Sequence, residues 1–327
     1  MHQFNEHHAE LKGFSKFFHA EIFPLLEAQD GQRREALGKA KLYGAGIVIL
    51  AIALAVLIYL ISKRTNVIFF VLFGGGMGVL ALYAWLMKSI KGETKNNIVG
   101  GICNYVGWNF NAEATDLPNL ELLAAYGLLP KGYHKKTKGS IDWNSGKRSS
   151  FEDQMSGEAH GAQFISVETH LERKNDDNWN TVFRGQVMTL TFPRKFLGKT
   201  VVLRDKGRFQ RKKRGDLKRV GLVDPVFEKI FEAYSTDQVE SRYLLDPVFM
   251  QKLVDLERSV DGKNMRFGFI DGQLLIVVET PNRFEAGSML QPLTSPDRTQ
   301  KILDEVGAVY DVVDGVMKPQ GSGGSRI

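Results

Sequence analysis

A chain of 327 residues with 43 lysines and arginines, 37 aspartates and glutamates and 43% hydrophobic residues can bury a sizeable core. That composition excludes a disordered, collagen-like or disulfide-built protein, and the one cysteine, Cys103, has no intramolecular partner. The apolar residues concentrate in two uninterrupted blocks, Leu42 to Ile61 and Val67 to Met87, neither of which contains a charge.

Residues 1–41 precede the first block. Leu11, Phe14, Phe18, Ile22 and Leu25 recur there at helical spacing, with Lys12, Lys16 and Glu21 between them. This predicts an amphipathic cytoplasmic helix that Pro24 ends or kinks, its apolar face lying on the membrane surface or packing on the cytoplasmic domain. His7, His8 and His19 lack a completing acidic or cysteine ligand and read as solvated, not as metal ligands.

A helical block of about 20 residues spans roughly 30 Å, the thickness of a bilayer's hydrocarbon core, so transmembrane helices are predicted over 42–61 and 67–87. Only Ser62 to Asn66 separates them, which makes a tight hairpin with both ends on one side. Arg33, Arg34, Lys39, Lys41, Lys88, Lys91 and Lys95 flank the hairpin, against Lys63 and Arg64 in the turn. The excess places both termini in the cytoplasm and the chain as a multi-pass protein of the plasma membrane. Gly74 and Gly78 form a GxxxG spacing, and with Gly44 and Gly46 are expected to pack the two helices together rather than to form a dimer face. With no ionisable residue in either span, a transport path has no candidate residues.

Beyond the hairpin, 88–160 reads as a helical segment and a basic linker, with a short helix over Leu117 to Leu129 and a loop over Pro130 to Ser150. From 161 to 317 the pattern is that of an α+β domain. Strands are expected at Gln163 to Leu171, Thr181 to Phe192 and Lys199 to Leu203. Asp224-Pro225-Val226-Phe227 and Asp246-Pro247-Val248-Phe249 each set an Asp cap and a first-turn proline at the start of a helix. Arg266 to Ile270 and Gln273 to Glu279 flank Asp271-Gly272, a two-residue hairpin turn. A last amphipathic helix covers Pro296 to Tyr310, and 318–327 is expected to be a disordered tail. The fold class is α+β: a two-helix transmembrane hairpin, then a mixed, mainly antiparallel sheet with flanking helices.

The densest surface feature is Arg204 to Arg219, where Arg204, Lys206, Arg208, Arg211, Lys212, Lys213, Arg214, Lys218 and Arg219 stand against Asp205 and Asp216. A membrane tether makes anionic lipid head groups the nearest partner for these cations, and a solvated loop is the alternative. Nucleic acid is not expected, because Phe209 is the one stacking platform in the run. Glu158, His160, Glu168 and His170 lack the spacing of a metal site, and Glu152, Asp153, Glu158 and Glu168 would need unusual geometry to act as a catalytic pair. There is no nucleophile elbow, phosphate loop or CxxC, so no catalytic residue, metal or cofactor is assigned.

Gly221-Leu-Val-Asp-Pro-Val-Phe-Glu-Lys-Ile-Phe231, then Asp237, then Glu240-Ser-Arg-Tyr-Leu-Leu-Asp-Pro-Val-Phe-Met250 resembles an uncharacterised bacterial membrane-protein family, the domain-of-unknown-function family 3137. Phe151-Glu152-Asp153 with Gly157 and Gly161, the strand containing Glu168, and Phe183-Arg184-Gly185 before Phe192 are similar to its earlier blocks. The resemblance covers about residues 100 to 290 and implies a bacterial inner-membrane protein, with a LemA-type membrane protein as an implied partner. It implies no activity. The function expected is a membrane-anchored scaffold or interaction module, and the alternative is a membrane-bound enzyme acting on the cytoplasmic side.

Overall fold

The computed structural model describes residues 2–62, 65–133, 141–142, 146–191, 196–205, 216–259 and 263–317. They divide into two compact units, 1–101 with 285–302, and 102–284 with 303–327.

In the first unit, a short helix α1 (Phe14–Phe17) runs through a π turn at Phe18–Ile22 into α2 (Phe23–Ser62), and α3 (Thr65–Tyr105) returns beside it. Pro24 therefore neither ends nor breaks the helix. The preceding π turn, closed by the Phe23 amide on the Phe18 carbonyl, relieves the crowding and the lost donor that proline imposes on an α-helix. At about 1.5 Å per residue, these helices of 40 and 41 residues are roughly 60 Å long, twice what a hydrocarbon core requires. The hairpin thus continues beyond the apolar blocks as a paired stalk.

The N-terminal apolar face finds its cover within this unit. Phe4 packs on Phe14 and Phe18 at ring separations of 5.7 and 4.8 Å, and Ile22 lies against Gly101 of α3. Leu26 is fully buried in that row, whereas Leu25 is 52% exposed. On the stalk, Asp30 and Arg33 are buried and grip the 285–302 segment. Asp30 Oδ1 accepts from Arg33 Nε at 2.7 Å and from the Leu293 amide at 2.9 Å, and Arg33 Nη1 donates to the Met289 carbonyl at 3.0 Å.

The second unit is an antiparallel sheet. In chain order its elements are β1 (Asn109–Glu113), α4 (Leu120–Ala125), β2 (Ile141–Asp142), β3 (Lys147–Ala159), β4 (Ala162–Asn175), β5 (Asn178–Thr191), β6 (Thr200–Arg204) and β7 (Lys218–Val220). Then come α5 (Pro225–Ile230), β8 (Phe231–Ser235), α6 (Gln238–Leu244), α7 (Pro247–Ser259), β9 (Lys263–Ile270), β10 (Gln273–Glu279) and, from residue 303 on, α8 (Pro296–Met317). The strand order is β1-β3-β4-β5-β10-β9-β6-β8-β7, with β2 on β3. Every pairing among the described residues is antiparallel, so the mixed sheet of the sequence expectation contains no parallel pair there.

Alternation sorts these strands into two faces. Val167, Leu171, Val187, Val201, Leu203, Leu275 and Val277 form one face and bury against Leu120, Leu123 and Leu128 in and after α4. The opposite face carries Phe267 and Phe269; Phe249 of α7 stacks edge-on to Phe269 at 5.8 Å, and Phe231 to Phe267 at 6.0 Å. Trp108 bridges Phe164 of β4 and Tyr310 of α8 at 4.8 and 5.6 Å. Helices thus cover both faces, which explains why β10 is a continuous apolar run.

Several local expectations meet a different outcome. The sheet begins at β1 and β3, ahead of residue 161, and Lys147–Ser150 of the expected loop is strand, held by pairing with β4. The first Asp-Pro pair does start a helix, with Asp224 Oδ1 accepting from Val226 and Phe227 at 2.8 and 3.0 Å. That helix lasts six residues before Phe231–Ser235 becomes β8, because the strand slot between β6 and β7 outweighs local helical periodicity. At the β9–β10 turn, Asp271 and Gly272 have φ of 52° and 77°, the left-handed pair that a tight I′ turn requires. The expected tail and the turn cations Lys63 and Arg64 lie outside the described residues.

Candidate functional site

Two helices are long and apolar enough to cross a membrane, and their most apolar windows are 11% and 6% buried. Leu60, Phe70 and Trp85 are 69%, 70% and 73% exposed, so the hairpin offers a cylinder of large apolar side chains to its surroundings. Its inner seam is set by small residues. A Cβ at Gly75 would stand 2.7 Å from the Ala51 Cβ, one at Gly44 would stand 3.3 Å from Val79, and one at Gly78 would stand 3.6 Å from Ile47. Gly46 and Gly74 have nothing within 4 Å and sit off that seam. Gly75, the tightest approach, lies outside the GxxxG pattern and was not singled out by its spacing.

Of the nine cations between Arg204 and Arg219, three fall in the described residues. Arg204 is ion-paired with Glu257, a carboxyl that burial pushes up in pKa despite the guanidinium and the Met265 amide beside it. Lys218 and Arg219 are exposed on β7, with Arg219 3.9 Å from Glu228. Lys206, Arg208, Arg211, Lys212, Lys213 and Arg214 lie outside the described residues.

The acids and histidines noted between residues 153 and 170 separate into three places. His160, at the β3–β4 turn, meets Asp314 of α8, and Glu158 stands nearby on the rim of a cavity of about 380 Å³ lined also by Gln163, Ile165, Thr189 and Gln273. Asp153 is buried at the β3 bulge with φ of 53°. Glu168 and His170 point instead to one face of β4 with Glu172. There the register sets Glu168 opposite Gln186 and His170 opposite Arg184, while Arg148 of β3 faces Glu172.

This polar ladder is closely paired. Arg184 donates to Glu168 Oε1 from Nη2 at 3.1 Å, Ser166 donates to Gln186 Oε1 at 2.9 Å, and Arg148 holds both oxygens of Glu172. The Arg148 hydrogen bond keeps the Glu172 carboxyl below its usual range, and burial lowers His170. His170 Nε2 is 2.8 Å from Thr181 Oγ1, and Nδ1 is 3.8 Å from Glu172. With Glu172 already neutralised by Arg148, the arrangement ties three strands together rather than activating the hydroxyl. No group of three or more His, Cys, Asp or Glu able to hold a metal ion occurs among the described residues. Arg148, Glu172, Arg184 and Gln186 were not sequence candidates, since only the cross-strand register brings them together.

A family model described as a protein of unknown function, DUF3137, matches residues 181–318, which hold β5 through α8. That match spans less than half of the chain. Its matched region includes both Asp-Pro helix starts and one member of the ladder's central ion pair, Arg184, while Glu168 lies before it. A search of curated proteins finds no match. The crystal structure of the mycobacterial trehalose monomycolate transport factor A, TtfA, is similar over 69% of this chain and 95% of its own, at 15% identity and a TM-score of 0.29.

Proposed function

We propose that this protein, whose residues 181–318 match the DUF3137 family model, is an interaction module anchored in the bacterial inner membrane by a two-span helical hairpin, with its α+β unit and both termini in the cytoplasm. The observation that carries the reading is the pair of long helices whose apolar windows are 11% and 6% buried. Left in water, so many exposed aliphatic and aromatic side chains would aggregate, and a bilayer is the solvent that accommodates them. Orientation follows from the seven cations around the hairpin against two in its turn. The module half is supported by the ladder, where the ionisable groups that could do chemistry are bound to one another across strands. The cations of Lys218 and Arg219, and those between them and Arg204, are proposed to face anionic head groups.

Reporter fusions test the arrangement. Alkaline phosphatase fused after Ile327 should be inactive and a fluorescent protein there bright, and the chain should stay with membranes in alkaline carbonate. An active phosphatase at that position would overturn the orientation, and release into the carbonate supernatant would overturn the anchor.

A further inference from the structure

Outside α2 and α3, eight large apolar side chains of the described residues are strongly exposed, and six of them lie between 197 and 248: Leu197, Val223, Val226, Val239, Tyr243 and Val248. Leu197, Val223, Val239 and Tyr243 are 100%, 88%, 78% and 75% exposed. They come from three segments that hydrogen bonds draw into one corner. Glu240 of α6 accepts from the amides of Leu197 and Gly198 at 2.7 and 2.6 Å. Gln238 donates to the Lys218 carbonyl at 3.3 Å and Arg242 to the Gly221 carbonyl at 3.5 Å, which lays α6 along the outer edge of β7. Ser241 and Leu244 form the buried side of α6. Val239 and Tyr243, four residues apart, share its outer side.

The charges around this corner are asymmetric in availability. Asp237 is occupied by the Val239 and Glu240 amides, Asp224 by those of Val226 and Phe227, and Glu240 by the Leu197 turn. Glu228 accepts from the Leu222 amide at 3.3 Å and lies 3.9 Å from Arg219. Lys218, Lys229 and Arg242 are exposed. With the carboxylates of Asp224, Asp237 and Glu240 held on backbone amides, and Asp216 exposed beside Lys218, the ammonium and guanidinium groups of Lys218, Lys229 and Arg242 are the ones that extend toward an anionic surface.

We infer that this corner is a lipid-docking surface, in which Leu197, Val223, Val239 and Tyr243 enter the interface of an anionic leaflet while Lys218, Lys229 and Arg242 meet phosphate head groups. The inference rests on the membrane anchor proposed above and deepens it, since a tethered domain meets the leaflet at high effective concentration. Single apolar side chains standing apart between cations suit a soft interface that closes around each one, and tyrosine favours the headgroup level. A second copy of the chain would bring cations against cations.

The test uses the full chain reconstituted into vesicles of phosphatidylcholine alone or of equal parts phosphatidylcholine and phosphatidylglycerol. Single variants Tyr243→Cys, Val239→Cys, Asp176→Cys and Val48→Cys carry a polarity-sensitive fluorophore, Cys103 being buried with its thiol pushed up to about 12. Nitroxide-bearing lipid should quench the labels at 239 and 243 several-fold more in the anionic vesicles, an effect removed by high salt, and should leave the turn residue 176 unquenched. The label at 48, within the hairpin, should be quenched in both lipids. Quenching at 48 with none at 239 or 243 overturns the docking surface and leaves the anchor standing; no quenching at 48 overturns the anchor itself. A shielded label at 243 that ignores lipid charge and disappears when protein is diluted among vesicles means contact between copies, which also overturns it.

Discussion

Glu168 on β4 and Arg184 on β5 pair across neighbouring strands at 3.1 Å, with the Glu168 side chain 5% exposed and the Arg184 side chain 31%. Glu168 also lies 3.4 Å from the Arg283 amide, so one carboxylate joins a strand ladder to the chain beyond β10. Removing it by Glu168→Ala should cost about 2 kcal/mol, the range for a buried acceptor whose donors are left without it. Arg184→Ala should cost less, because solvent reaches the guanidinium and screens the pair. Thermal unfolding of the detergent-solubilised chain measures both; equal losses would mean that the carboxylate has no separate role.

The neighbouring rung sets a pH dependence. Burial lowers the His170 pKa from its ordinary 6.5, so the unfolded chain binds that proton more readily and stability falls as the pH drops below about 6.5. Arg148 lowers Glu172 from 4.5, so its contribution is present above that value and is lost as the pH falls through the lowered one. Melting temperatures should decline in two stages on acidification. His170→Gln should remove the upper stage alone, and an unchanged profile would rule out His170 as its source.

In the hairpin, Gly75→Leu drives a side chain into Ala51, whose Cβ stands 2.7 Å from the position that a Cβ would occupy, whereas a Cβ at Gly74 meets nothing within 4 Å. Overpacking of this kind costs about 1–3 kcal/mol. Gly75→Leu should lower the unfolding temperature in detergent and Gly74→Leu should leave it unchanged. Equal behaviour of the two would contradict the helix pairing.

Asp30 is the carboxylate on which Arg33 and the 285–302 segment depend. Burial alone would raise its pKa, but the Arg33 guanidinium and the Leu293 amide hold it below the usual 3.8. Asp30→Ala leaves Arg33, 6% exposed, buried without its partner, at a cost of about 3 kcal/mol. Limited proteolysis should then cut near Met289 to Leu293 at conditions where the parent chain is protected. Undiminished protection would show that the clasp is held by other contacts. In the parent chain, the stability that Asp30 confers is present above pH 3.8 and lost as the pH falls through its lowered value.

The reach of the sequence differs between elements for physical reasons. The hairpin blocks, the Asp caps at 224 and 246 and the Asp271-Gly272 turn were legible because each is decided by neighbours in the chain: twenty apolar residues, a side chain three positions from an amide, two residues that tolerate positive φ. Helix continuity through Pro24 was not, since the π turn that permits it depends on the packing of Phe18 and Ile22 in the N-terminal unit. Nor was β8, whose five residues Phe231–Ser235 are all buried between strands whose paired residues lie 13 to 35 positions away in the chain.

By itself, then, the sequence determined that two apolar segments form helices of membrane length and that an α+β region follows, because composition and short-range periodicity carry that information. Only the tertiary structure decided which glycine closes the hairpin and which charges are free. Gly75 rather than Gly74 faces Ala51, and Arg204 is bound to Glu257 while Lys218 stays exposed, although sequence spacing treats each pair alike. Helix rotation and strand register are global quantities: each is fixed by the summed packing of many distant residues, and a shift of one position reverses which side chains meet.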